Sequence, residues 1–144
     1  MTSAPTAIRV FSQRPDARVD FDAWRVNAER FFGATLGLAE PAAVDQARLV
    51  LEGATRLVRG RPREEADLRD ALAAEQRSGF TGMYDLARRC GSVWTVERQG
   101  AGDRVALLAA AVMASVMLGP ILVDDELFGV RTARSKLERL GSGG

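Results

Sequence analysis

Histidine is absent from this chain, and cysteine occurs once, at position 90. Those two facts remove most side-chain chemistry that operates near neutral pH. Imidazole acid–base catalysis, Cys–His nucleophiles, zinc sites of the usual composition and intramolecular disulfides all drop out. Carboxylates and arginines remain. Asp124, Asp125 and Glu126 form a compact acidic cluster that can offer oxygens to a hard cation, although a helix start calls for the same residue types as caps. Paired carboxylates can also exchange protons where a cleft holds them. Arg88 and Arg89 would lower the pKa of the Cys90 thiol, but Cys90 sits among apolar residues at helical spacing, where cysteine behaves as a small core residue. The GAGD run from Gly100 to Asp103 is too short for a phosphate loop and lacks its lysine. The expectation is a non-enzymatic protein with no metal ligands and no cofactor.

Binding is the better-supported chemistry. Arg56, Arg59, Arg61 and Arg63 bracket Gly60, and guanidinium groups grip carboxylates and phosphates in pairs. They form the candidate interaction surface. Glu64, Glu65, Asp67 and Asp70 follow at once, so internal pairing competes with any outside ligand. The formal net charge is +1, which gives no general pull toward nucleic acid, and no sequence-specific nucleic-acid partner is expected. Trp24, Phe31, Phe32 and Trp94 supply large rings for a candidate apolar pocket; the same rings would serve a core equally well.

The elements that must position these residues are organised around Arg104–Val123, RVALLAAAVMASVMLGPILV. Val105, Leu108, Val112 and Val116 share one side of a helix, and Ala106, Ala110 and Ala114 form a smooth ridge on another. Pro120 ends the helix near Leu118. Asp103 to Leu118 would then span about 22–24 Å, short of the roughly 30 Å of a bilayer core. The sequence therefore predicts a buried axis at 104–118, with a kinked membrane span through 104–123 as the less favoured reading.

The rest of the chain reads as helices around that axis. Asp20 caps a first helix, with Val19 and Trp24 as its staple. Pro41 opens a second, with Val44, Ala47, Leu51, Ala54 and Val58 as its stripe and Gly60 as its stop. Pro62, Glu64 and Glu65 start a largely solvated third helix that ends at Gly79. A fourth covers about Thr81–Cys90, with Phe80, Met83, Tyr84, Leu86 and Ala87 facing inward. Val93–Val96 is either a strand or a helical turn. Asp124 caps the last helix, with Leu127, Val130, Leu137 and Leu140 as its stripe. The fold class expected is all-α: one bundle of about six helices over residues 19–141, after a flexible leader (1–18, with a short edge strand at most over Thr6–Phe11) and before a disordered tail (142–144).

Two parts of the chain share a layout. ARLVLEGATRLVRG with REEADL, and ALLAAAVMASVMLG with DDELF and LERLG, each give an apolar helix, a glycine, an acidic start and a second helix. This layout resembles the TerB-like family, associated with tellurite resistance and with relatives of DnaJ-type co-chaperones, over roughly two thirds of the chain. The resemblance implies an all-α fold. The Asp of that family's Asp-Gly turn is replaced by Arg59 and Leu118, which puts any metal site in doubt. The functional expectation is a helical interaction module that meets a protein partner or its own copy. The alternative is a binder of an apolar small molecule or lipid, or a membrane-attached protein, acting through 104–123. The N-terminus shows no secretory signal, so the cytoplasm is the expected location.

Overall fold

Two tight turns decide the architecture. In the computed structural model, which describes residues 7–79 and 81–141, Glu52 and Gly53 both adopt positive φ (51° and 78°). That is the backbone of a two-residue hairpin turn whose twist suits antiparallel strands. The expected second helix is therefore a hairpin of β3 (Gln46–Leu51) and β4 (Ala54–Pro62). Asp124, also at positive φ (53°), turns a second hairpin between β6 (Ile121–Val123) and β7 (Glu126–Phe128), where a helix cap was expected. Asp tolerates this region better than most residues.

The remaining elements are β1 (Ile8–Ser12), α1 (Phe21–Phe32), β2 (Gly37–Leu38), α2 (Glu65–Ser78), α3 (Met83–Arg88), β5 (Ser92–Val96), α4 (Arg104–Met117) and α5 (Val130–Gly141). All seven strands form one antiparallel sheet in the order β2-β3-β4-β5-β1-β6-β7. The all-α bundle is thus overturned, and with it the fold implied by the TerB-like resemblance, because the first of its two supposed halves is largely a hairpin. β1 corrects the leader as well. It lies inside the sheet, with Val10 facing Trp94 of β5 on one side and Ile121 of β6 on the other. Residues 1–6, Phe80 and the tail at 142–144 lie outside the described residues.

The axis over 104–118 is present as α4, capped by Asp103, whose side chain accepts from the Ala106 N–H. α4 lies against one face of the sheet, with α1 and α5 packed along its sides. Ala106 through Ala114 are buried without a break, because small side chains let helix and sheet approach closely. Ala47, Leu49, Leu51 and Val58 meet this face by strand alternation. Val44 of the supposed stripe is exposed. Gly60 stops nothing: it lies within β4, where an added Cβ would press into the Trp94 indole and Ala17. No helix among the described residues is long and apolar enough to cross a membrane.

The opposite face is covered over part of its width. Phe11, Val93, Leu122 and Leu127 pack there with Ala71 and Ala74 of α2, Ala87 of α3 and Cys90. Over β3 and β4, Gln46, Arg48, Val50, Thr55, Leu57 and Arg59 carry no helix among the described residues.

Candidate interaction groove

The structure separates the four arginines that the sequence brings together. Residues 56 and 61 are an odd number apart on β4, so they point to opposite faces. Arg56 is buried against Asp103, with Nε donating to Oδ2 (2.8 Å) and Nη2 to Oδ1 (3.0 Å). Asp103 also accepts from the Gln99 and Ala106 N–H groups. Burial alone would raise its pKa, but these donors, Arg56 foremost, hold the carboxyl below its usual range. Arg61 donates both Nη atoms to Asp67 (2.7 and 2.8 Å), which Arg9 also reaches (3.2 Å). Asp67 is likewise pushed up by burial and pulled further down by Arg61, the Glu64 N–H and Arg9. Arg63 donates to the carbonyls of Arg88 and Cys90, closing the end of α3. Of the four, Arg59 alone extends a side chain with no partner among the described residues, from the open sheet face. Three of the four arginines therefore hold the fold together.

The aromatic set also divides. Trp24 and Trp94 are fully buried and meet edge to face, centroids 5.2 Å apart at 89°; they are core. Phe31 and Phe32 sit at the end of α1, beside the surface. Phe31 is 46% exposed. It lines two adjoining depressions, one of about 490 Å³ with Phe32, Leu108 and Leu137, and one of about 560 Å³. Arg134 lines both and stacks over the Phe32 ring at 5.7 Å.

The larger depression is a groove between the end of α4, α3 and the start of α5. Its walls are mostly apolar: Phe31, Met83, Leu86, Leu118 and Val130. Its polar atoms are mostly engaged already. Gln13 Nε2 donates to the Leu118 carbonyl, and Ser115 Oγ donates to the Val112 carbonyl (2.6 Å) while accepting from Asn27 (3.0 Å). Arg134 has no carboxylate partner among the described residues. The groove thus offers apolar surface and one uncompensated cation.

Leu118 is the residue that sequence reasoning missed as a binding residue, having been read as the end of the apolar helix and as the replacement for the Asp of the TerB-like turn. It forms the C-cap of α4 in the left-handed region (φ 59°, ψ 39°), its N–H bonded to the Ala114 carbonyl (2.8 Å). That position favours glycine or asparagine. The leucine side chain is 62% exposed. The signal available in the sequence was a large apolar residue immediately before Gly119-Pro120, where a helix must end.

Cys90 is buried, its Sγ donating to the Leu86 carbonyl (3.3 Å). Burial pushes its thiol up to about 11 even though Arg63 pulls the other way, so it is a poor nucleophile at neutral pH. Asp124, Asp125 and Glu126 diverge to Arg98, Arg77 and Lys136. Among the described residues no group of three His, Cys, Asp or Glu side chains is placed to hold a metal ion. In comparisons with known proteins, the chain matches no protein-family model, no curated protein and no solved structure.

Proposed function

We propose that this protein is a non-catalytic binding domain that takes a short amphipathic, acidic segment of a protein partner into the groove at the end of α4. The observation that carries the reading is Leu118. A non-glycine residue in the left-handed region costs on the order of 1–2 kcal/mol, and a leucine 62% exposed returns little of that through burial in the isolated chain. Both costs are offset if a partner covers the side chain. Phe31, Met83, Leu86 and Val130 give a segment with apolar residues at three- and four-residue spacing a continuous seat. Arg134, lying over Phe32 without an anion, selects a carboxylate beside those residues.

Leu118→Gly tests this by separating fold from function. Glycine relieves the backbone and removes the docking side chain, so the variant should melt higher by roughly 1 kcal/mol of stability and bind worse. A displayed library of random peptides, selected on the wild type and counter-selected on Leu118→Gly, should enrich acidic sequences with apolar residues at helical spacing. Enrichment of basic peptides, or of peptides that bind both proteins equally, would refute the reading.

A further inference from the structure

At the other end of α4, a second cavity of about 330 Å³ lies between the start of that helix, the last turns of α5 and the β6–β7 hairpin. Its floor is apolar, formed by Ile8, Leu107 and Phe128 among others, and three cations face it: Arg98, Lys136 and Arg139. Arg98 is built into the wall. Its side chain is 4% exposed, while that of its counter-ion Asp124 is 53% exposed at the hairpin tip. Asp124 grips the guanidinium through Nη2 (2.6 Å) and Nη1 (3.2 Å). The third donor, Nε–H, is buried with no acceptor among the described residues, an arrangement that costs free energy unless something fills it. Lys136 is held by Glu126 (3.0 Å), itself an exposed residue. Arg139 has no partner among the described residues.

The pattern is one of a fixed cation, Arg98, with replaceable anions. The guanidinium cannot leave the wall, whereas two of the three carboxylates that line the cavity, Asp124 and Glu126, reach in from solvent on a hairpin at the edge of the sheet; the third, Asp103, is already paired with Arg56. We propose that this cavity binds a small monocarboxylate with a compact apolar body, which takes the place of Asp124 on Arg98. The incoming carboxylate would turn side-on to meet Nε and one Nη, the paired geometry in which guanidinium and carboxylate match best. Its apolar body would lie over Phe128 and Leu107, and Arg139 would add charge at the rim. The volume sits at the small end of ligand cavities, which suits a metabolite-sized acid and excludes a folded or long-chain ligand. Asp124 in this account is an internal stand-in that keeps the buried cation paired when the cavity holds no ligand.

The stand-in role yields a test that a purely structural ion pair would fail. Calorimetric titration of the full chain would use hexanoate, with hexanamide and hexylamine as shape-matched controls. Hexanoate should bind with a Kd of about 1 mM or better, and the two controls should not. Asp124→Asn removes the competitor and keeps a residue tolerant of positive φ, so it should tighten hexanoate binding roughly tenfold. Glu126→Gln, which frees Lys136, should act in the same direction more weakly and serves if the first variant folds poorly. Arg139→Gln should weaken binding about two- to fivefold. The proposal falls if the amide binds as well as the acid, if hexanoate shows no binding at about 10 mM, or if neither freed-cation variant binds hexanoate more tightly than the wild type.

Discussion

The two faces of the sheet are fastened to their helices by the same pairing, an arginine of β4 with an aspartate at a helix start, but the pairings differ in water and in redundancy. On the α4 face, Arg56 is the single arginine on Asp103 among the described residues, the two being 9% and 4% exposed, with the Gln99 and Ala106 N–H groups as the carboxylate's other donors. On the α2 face, Asp67 is just as buried, yet Arg61 is about a third exposed and Arg9 shares the load, with Asp70 joining from outside. A dry single pair fails as a unit, because removing one partner leaves an uncompensated buried charge. A wetter, shared pair loses strength by degrees, since solvent and the second arginine take over. The face that carries the main core is held by the less forgiving contact.

Breaking this contrast should give the largest effects. Arg56→Ala leaves Asp103 with backbone donors but no counter-charge and should cost about 3–5 kcal/mol, whereas Arg61→Ala should cost about 1 kcal/mol. Urea unfolding of both variants checks this, and equal losses would show that the two faces are fastened alike. Adding Arg9→Ala to Arg61→Ala should cost more than the two single losses combined, as expected of groups that share one carboxylate.

Packing sharpens the comparison next. Ala110 lies fully buried in α4, so Ala110→Phe should overpack that layer by about 1–3 kcal/mol. An unchanged melting temperature would mean that α4 is not the tight layer its run of buried alanines describes.

Acid gives the smallest effect. Asp67 and Asp103 both have folded pKa values below their ordinary ones. The stability they confer is therefore complete above about pH 4, the unfolded carboxylate range, and is lost as pH falls through the depressed folded values. Unfolding midpoints for the wild type should be level from neutral pH down to about 5 and then decline. Asp67→Asn and Asp103→Asn should each flatten that decline, and a wild-type stability that rises on acidification would contradict the assignment.

The sequence made the helix ends legible where local chemistry sets them. Asp20 caps α1; Gly79, in the left-handed region, closes α2; Asp103 and Pro120 bound α4. It hid the sheet for two physical reasons. Ala47, Leu51, Ala54 and Val58 recur at spacings of four, three and four, which fit a helix, while Ala47, Leu49 and Leu51 fit a strand equally well. Only Glu52-Gly53 distinguishes them, as a turn. Strand pairing is also non-local, and nothing near Ile8–Ser12 announces partners at Ser92–Val96 and Ile121–Leu122. Of the candidate site, Phe31 could be read in advance as a ring on a helix. The dispersal of the arginines could not, because it follows from strand alternation that a helical reading never invokes.

The position of β1 also sets an order of events. β1, the earliest of the described strands, sits between β5 and β6, so its backbone stays without its sheet partners until the chain has been made through Val96 on one side and Val123 on the other. The β3–β4 hairpin, closed by two residues, can form long before. Pairing across such sequence distances requires loop-closure entropy to be overcome before any contact rewards it. The Ala-rich α4 and the apolar β1 must meanwhile avoid other chains. Closure of the sheet around β1 therefore waits for β6, the later of its two partners.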